Sequence, residues 1–168
     1  ETADLGTGAY TKGMNGTQTA GLCYGGYSPS TTGDSEEYNG TGWTEGNNLN
    51  TARGALAGCG TQTAGLAALG GAPCEEYDGT SWSEVTEPNT ARSKAGAGGI
   101  QTAAIYAGDT SSPYNAAEEY NGSTWATVEV INNARGEASG GGTATAGLLC
   151  GGYTPGSAPN QKAFTEEY

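Results

Sequence analysis

Histidine is absent from this 168-residue sequence, and Leu, Ile, Val and Phe together number only 15. The lack of histidine removes the most common general base and the most common zinc ligand. So few large aliphatic side chains would ordinarily leave a chain unable to bury enough apolar surface to fold. No apolar run approaches the roughly 20 residues that a membrane-spanning helix needs. The composition therefore argues against much enzyme chemistry, against membrane insertion and, taken alone, against a folded domain.

Basic residues are also scarce, with 6 Lys and Arg against 18 Asp and Glu, which gives a net charge of −12. A chain this acidic is repelled by nucleic-acid phosphates and by anionic membrane surfaces. We therefore expect neither a nucleic acid nor a membrane as a partner.

A repeat runs through the sequence and offers a way to build a core by stacking. The tripeptide Glu-Glu-Tyr occurs four times, at intervals of 39, 43 and 48 residues. A Trp follows each of the first three tyrosines by 5 residues, and an Arg follows each Trp by 10. We expect these rings to be structural, because large aromatic side chains must bury most of the area between neighbouring sheets. They are Tyr38, Tyr77, Tyr120, Tyr168, Trp43, Trp82 and Trp125.

Each repeat is typical of four short strands. In the second repeat, small alternating residues predict a first strand from Arg53 to Cys59, and a second strand over 62–69 ends at a Gly-Gly pair. The third strand carries Glu-Glu-Tyr, and an Asn-Gly or Asp-Gly pair then predicts a tight hairpin into a fourth strand with the Trp. We therefore predict an all-β chain, a β-propeller of about four short four-stranded blades. It forms a single repeat domain over 1–168, with units of approximately 1–49, 50–88, 89–131 and 132–168.

The Gly-Gly pair after the second strand, the Tyr of the third and the Trp of the fourth resemble the kelch repeat, over essentially the whole chain. The segments Gly-Thr-Gln-Thr-Ala-Gly, Glu-Glu-Tyr-Asn-Gly and Asn-Thr-Ala-Arg are similar to those of kelch-like proteins encoded by marine bacteriophages. This resemblance implies a propeller fold and an extracellular or virion-surface location.

The two ends of the chain fall in the same part of the repeat. In the repeat alignment, Glu1 corresponds to Glu45, and Tyr168 corresponds to Tyr38. We expect the first and last strands to share one blade and so to close the ring; trimming from a longer array is the alternative.

Length variation is confined to one kind of connection. From the end of the second strand to the Tyr the distances are 12, 6, 11 and 16 residues, whereas the Tyr-to-Trp and Trp-to-Arg distances are constant. Variable loops on a rigid repeat scaffold are the usual place for binding function. The sequence therefore predicts that ligands bind at the end of the propeller that carries these loops.

Two sets of side chains at that end are candidates for ligand contact. Aromatic rings stack on sugars and arginine binds carboxylates in a bidentate manner, so an acidic glycan or a peptide would suit them. For the arginines the favoured alternative is structural, because an Arg repeated in every blade can pair with the repeated glutamates or with linker carbonyls. The candidates are Tyr27, Tyr114 and Tyr153 in the loops, and Arg53, Arg92 and Arg135 near the linkers between blades.

No catalytic, cofactor-binding or metal-binding set emerges from the sequence. The cysteines form no Cys-x-x-Cys motif, and a bridge between Cys59 and Cys74 stays open. We expect a non-enzymatic structural or adhesive module that binds a host-surface glycan or a neighbouring virion protein, with homo-oligomerisation left open. The alternatives are a cellular protein-interaction propeller and a glycan hydrolase, for which Asp34 and Asp109 are the obvious loop acids.

Overall fold

The computed structural model describes residues 3–71, 73–154 and 163–168. These residues form fifteen β-strands in four antiparallel sheets, and they include no helix long and apolar enough to cross a membrane. The predicted all-β class is confirmed. Positions 155–162, in the longest of the variable loops, lie outside the described residues.

Consecutive strands pair in chain order within each sheet, so every sheet is an up-and-down blade. The first blade contains β1 (Gly13–Thr17), β2 (Ala20–Tyr24), β3 (Ser35–Tyr38) and β4 (Trp43–Glu45). The second contains β5 (Leu56–Thr61), β6 (Ala64–Leu69), β7 (Cys74–Tyr77) and β8 (Trp82–Val85). The third contains β9 (Gly96–Ile100), β10 (Ala103–Ala107), β11 (Ala117–Tyr120) and β12 (Trp125–Thr127), and the fourth contains β13 (Ser139–Thr143), β14 (Ala146–Cys150) and β15 (Thr165–Glu167).

The hairpin between the third and fourth strands has the chemistry that its Asn-Gly or Asp-Gly pair predicts. In the first blade, Asn39 Oδ1 accepts hydrogen bonds from the backbone N–H groups of Thr41 and Gly42, both at 3.0 Å. Gly40 has a φ of 92°, which lies in the left-handed region. Glycine adopts this conformation without strain because it has no Cβ atom. The second and third blades repeat this turn with Asp78 and Asn121 as the acceptors.

Neighbouring blades pack face to face through three apolar clusters, which confirms the predicted propeller architecture. The inner strands β1, β5, β9 and β13 lie against one another in that order. Trp82 is buried between the first and second blades, and Trp125 is buried between the second and third. Trp43 belongs to the first blade, whose outer face has no described blade against it, and this side chain is only half-buried.

The described residues do not show a blade shared by the two ends of the chain. The fourth sheet has three strands, and β15 pairs only with β14, with Leu148 opposite Glu167. The segment 3–9 instead lies along the first blade, where the backbone N–H groups of Gly6 and Thr7 donate to the Glu36 carboxylate at 2.6 and 3.0 Å. Equivalent glutamates in the later blades bind the linkers before them in the same way. They are Glu75, Glu118 and Glu166.

Candidate functional site: the loop face

One end of the propeller carries both the variable loops and the linkers between blades. We call it the loop face; it comprises loops 25–34, 108–116 and 151–154, linkers 46–55, 86–95 and 128–138, and the segment 9–12 that enters the first blade. Backbone hydrogen bonds tie the bases of loops 25–34 and 108–116 to the linkers that follow them. Gly26 N–H donates to the Arg53 carbonyl at 2.9 Å, and Asp109 N–H donates to the Arg135 carbonyl at 3.1 Å. These hydrogen bonds fix the position of the residues at the base of the two loops.

A buried ion pair fixes each linker to the blade that it enters. The Arg53 guanidinium donates to the Glu75 carboxylate, and these side chains are 3% and 0% exposed. The same carboxylate accepts hydrogen bonds from the backbone N–H groups of Asn50 at 2.7 Å and Thr51 at 3.3 Å. Equivalent pairs form in the next two blades, between Arg92 and Glu118 and between Arg135 and Glu166.

These ion pairs remove the arginines from the set of ligand contacts. Arg53, Arg92 and Arg135 are at most 3% exposed, and each guanidinium also donates to backbone carbonyl groups. A side chain that is buried and already paired cannot also receive a ligand from solvent. The structural alternative, pairing with the repeated glutamates, is the arrangement that the structure contains.

A ladder of left-handed residues joins the four blades in chain order on the loop face. In each blade the residue two positions after the linker arginine, or after its counterpart Ala9, has a φ between 55° and 58°. From the second blade onward, its backbone N–H donates to the carbonyl of the equivalent residue one blade earlier, at 2.7–3.2 Å. The four ladder residues are Thr11, Ala55, Lys94 and Glu137. Because none is a glycine, sequence inspection missed this feature; the equal spacing from each linker was its only signal.

An exposed aromatic pair stands on the first blade. Tyr27 is 39% exposed, and its ring centroid lies 5.3 Å from that of Tyr10, which is 63% exposed. Their planes are inclined at 52°, and their backbones exchange hydrogen bonds at 2.9 and 3.2 Å. Sequence reasoning identified Tyr27 but missed Tyr10, which precedes the first strand and falls outside the variable loops. The backbone bridge holds the two residues side by side without a ligand.

The structure places the other two loop tyrosines around one linker. The Tyr114 carbonyl accepts a hydrogen bond from Arg135 N–H at 2.9 Å, and the Tyr153 carbonyl accepts one from Gly136 N–H at 2.9 Å. Both side chains are half-buried. The loop face thus carries two aromatic positions, of which the Tyr10–Tyr27 pair is the more exposed.

The two loop acids are engaged in loop structure. Asp109 is 2% exposed, and its Oδ1 accepts from the backbone N–H groups of Ser111 at 3.0 Å and Ser93 at 3.3 Å. Asp34 Oδ1 accepts from the Asn48 side-chain amide at 3.2 Å. The buried Asp109 carboxylate is not presented to solvent as a hydrolytic acid would be.

Three of the four cysteines are buried and contribute to packing. Cys59 and Cys74 are free thiols, so the bridge left open by the sequence is not formed. Burial raises the pKa of Cys59 to about 11 and that of Cys74 to about 12, which disfavours the thiolate that a nucleophile or metal ligand requires. Cys23 is also buried, whereas Cys150 is exposed.

No protein-family model matches the chain, and no significant match is found among curated proteins. Function must therefore be argued from the loop face itself.

Proposed function

We propose that this β-propeller is a non-enzymatic adhesive module that binds a glycan through its loop face. The observation that carries the proposal is the Tyr10–Tyr27 pair, two rings that are 63% and 39% exposed and whose centroids lie 5.3 Å apart. Tyrosine combines an apolar ring, which stacks on the C–H face of a sugar, with a hydroxyl that hydrogen-bonds at its edge. Because the backbones of the two residues are held by hydrogen bonds, little backbone entropy is lost on binding.

The charges of the loop face and of the whole chain favour a neutral glycan over an acidic one. Exposed arginines would favour an acidic sugar, but all three candidate arginines are buried against glutamates. On the loop face, Lys94 is paired with Glu137 at 2.6 Å, and the chain as a whole carries a net charge of −12. Sialylated or sulfated chains would be repelled by this field. The proposed ligand is therefore a neutral glycan.

The resemblance of the repeat sequences to kelch-like phage proteins supports a virion location for this binding. We propose that the propeller is part of a phage virion, displayed outside the cell, where a neutral host-surface glycan is its binding partner. A rigid frame of repeated ion pairs with variable loops at one end is suited to such a role, because loops can change while the blades stay constant.

A glycan array tests the proposal. The wild-type chain is applied to neutral, sialylated and sulfated glycans beside a Tyr10→Ala/Tyr27→Ala variant. A matched control, Ile100→Ala, removes a side chain that is 55% exposed at the opposite end of the third blade. We expect the wild type and the control to bind a set of neutral glycans and the double variant to lose them. Binding confined to sulfated or sialylated glycans, or equal binding by the double variant, would refute the proposal.

A further inference from the structure

The sequence contains three Asn-Gly pairs, and the structure places them in two different environments. Asn39-Gly40 and Asn121-Gly122 lie in exposed turns between the third and fourth strands of their blades, at the end of the propeller opposite the loop face. Asn15-Gly16 lies within β1, where Gly16 pairs with Gly21 of β2. Because glycine has no Cβ atom, the peptide nitrogen that follows each asparagine is unhindered. That nitrogen is a nucleophile for the asparagine side chain.

Attack by this nitrogen converts an asparagine into an acidic residue and consumes only water. The glycine nitrogen gives up its proton to solvent and bonds to the asparagine Cγ; the Cγ–Nδ2 bond breaks, and Nδ2 takes up a proton and leaves as ammonia. Water then opens the cyclic imide at one of its two carbonyl groups and leaves a carboxyl group, which ionises at neutral pH. In the first step, negative charge develops on Oδ1. Hydrogen-bond donors that point at this oxygen therefore accelerate the reaction.

Three donors converge on Oδ1 of Asn39. The backbone N–H groups of Thr41 and Gly42 donate to it at 3.0 Å, and the Thr41 hydroxyl donates to it at 2.8 Å. The Asn39 side chain thus reaches across residue 40 to the two residues that follow. Gly40 itself lies in the turn, outside the paired residues of β3 and β4. The turn therefore holds the side-chain carbonyl group near the Gly40 nitrogen and stabilises charge on its oxygen.

Asn15 has the same local sequence as Asn39 but a different environment. The tripeptide Asn-Gly-Thr occurs at 15–17 and again at 39–41. Asn15 Oδ1 is buried and accepts no hydrogen bond from the described residues. Its Nδ2, which would have to leave, donates to the Thr61 carbonyl of the second blade at 2.6 Å. Attack at Asn15 would therefore place charge on an oxygen that has no donor and would break a contact between blades.

Asn121 is intermediate between these two sites. Its Oδ1 accepts hydrogen bonds from the backbone N–H groups of Ser123 and Thr124 at 3.0 and 2.9 Å. The Thr124 hydroxyl, however, accepts a hydrogen bond from Asn121 Nδ2 at 3.1 Å. Asn121 Oδ1 thus has two donors in place of three, and its leaving group is held in the turn.

The second blade shows that the same turn accommodates the product. Asp78 occupies the position of Asn39, and its Oδ1 accepts hydrogen bonds from the backbone N–H groups of Thr80 and Ser81, both at 2.8 Å. These N–H groups, that of Ser81 most strongly, hold the pKa of the Asp78 carboxyl below its ordinary value. An aspartate in this turn therefore keeps the hydrogen bonds of the asparagine and carries a negative charge.

We propose that Asn39, and more slowly Asn121, are sites of spontaneous deamidation in the folded chain, with water as the co-substrate and with the turn supplying the donors that stabilise the developing charge. Asn15 is protected by its place in β1. Each conversion adds one negative charge to the end of the propeller opposite the loop face, in a chain that already carries −12. This chemistry is independent of the glycan proposed at the loop face.

Peptide mass spectrometry follows all three sites in one sample of the full chain kept at pH 8, because replacement of an amide by a carboxyl group raises the mass of a peptide. We expect Asn39 to react at least roughly tenfold faster than Asn15, with Asn121 between them, because several donors act on a developing charge. In concentrated urea the two Asn-Gly-Thr sites should react at similar rates. Reaction at Asn15 as fast as at Asn39 in the folded chain, or a tenfold difference that persists in urea, would overturn the proposal.

Thr41→Val removes the hydroxyl donor with little change in the size of the side chain. It should slow the reaction at Asn39 roughly two- to tenfold, the effect of one hydrogen bond, and leave the rate at Asn121 unchanged. Thr17→Val makes the same change beside Asn15 and is the matched control, which should leave Asn39 unaffected. In urea Thr41→Val should have no effect. An undiminished rate at Asn39 in the folded Thr41→Val protein would overturn the assignment of the turn as the source of reactivity.

Discussion

The indole of Trp82, in the second blade, lies edge-on to the phenol ring of Tyr24, in the first, with ring centroids 4.8 Å apart. The ring of Tyr77 lies 4.9 Å from the same indole, and the Tyr24 hydroxyl donates to the Leu66 carbonyl of the second blade at 3.2 Å. Trp125 repeats the arrangement with Tyr106 and Tyr120. Stacked rings between blades thus supply much of the core that the scarce aliphatic residues cannot.

Removing one of these rings should be costly. Trp82→Ala is expected to lower the free energy of unfolding by about 3–5 kcal/mol, because it leaves a cavity between two blades. Trp43→Ala is the matched control, since Trp43 has the same place in its repeat but is only half-buried, and it should cost clearly less. Urea unfolding measures both changes. Equal losses for the two variants would contradict the packing described here.

The buried and exposed ion pairs should respond differently to neutralisation. Arg92→Met leaves the Glu118 carboxylate buried without its partner, and we expect a loss of about 3–5 kcal/mol. Lys94→Met breaks a pair whose side chains are 42% and 47% exposed, and it should cost no more than about 1 kcal/mol. Thermal and urea unfolding of the two variants provide the comparison. A stable Arg92→Met protein would argue against a structural role for the linker arginines.

Acid should weaken the fourth blade through Glu166. Partial burial tends to raise the pKa of this carboxyl, but the Arg135 guanidinium and the backbone N–H groups of Asn132 and Asn133 outweigh it, so the pKa lies below the ordinary value of 4.5. A carboxyl whose pKa is lower in the folded state stabilises the fold fully above its unfolded pKa, and that contribution is lost as the pH falls through the folded pKa.

The stability of Glu166→Gln measured between pH 6 and pH 3 tests this linkage. The variant should be less stable than the wild type at pH 6 and should lose less stability on acidification. Glu84→Gln, at an exposed position of β8, should keep the acid dependence of the wild type. Parallel curves for Glu166→Gln and the wild type would show that Glu166 contributes nothing to the acid response.

Thiol alkylation distinguishes the four cysteines. Under native conditions at pH 8 we expect only Cys150 to be labelled, because it is exposed, whereas Cys23, Cys59 and Cys74 are buried and burial raises their pKa values. Peptide mass spectrometry identifies the modified positions. In denaturant all four should be labelled. Native labelling of Cys59 would mean that the interface between the second and third blades opens readily.

The parts of this structure that could be predicted from the sequence are those that recur in every blade. Constant spacing placed Tyr77 and Trp82 on paired strands, and Asp78-Gly79 indicated the turn between them, because a hairpin requires local residues only. For Arg53 the repeat favours a structural role but does not identify the partner, which could be a repeated glutamate or a linker carbonyl. Its burial against Glu75 depends on tertiary packing.

Two features depend on contacts that no single repeat reveals. The pairing of Tyr10 with Tyr27 joins two segments through a backbone bridge, and neither segment has a repeat signature of its own. The three strands of the fourth sheet, as far as the structure describes the chain, also differ from expectation, because the equivalence of the chain ends suggested a shared blade. In the structure the equivalent N-terminal segment is bound by Glu36.

Substitution of the tyrosines on the loop face should affect glycan binding and not folding. Replacing Tyr10, Tyr27, Tyr114 and Tyr153 singly with Ala should weaken glycan binding most at the first two positions, which are the most exposed. Exposed positions such as Tyr10 rarely change stability by more than about 0.5 kcal/mol. Glycan affinity by calorimetry and melting temperature by circular dichroism separate the two effects. Gly40→Val, at a φ of 92°, should do the reverse and destabilise the fold with little change in affinity.

The most direct test of binding at the loop face is hydrogen–deuterium exchange of the wild-type chain with and without the best neutral glycan from the array. The account predicts protection in peptides that contain Tyr10 and Tyr27 and in the adjoining linker 46–55. It predicts no change in the Asn39-Gly40 and Asn121-Gly122 hairpins at the opposite end. Protection centred on those hairpins, with none at Tyr10 or Tyr27, would contradict it.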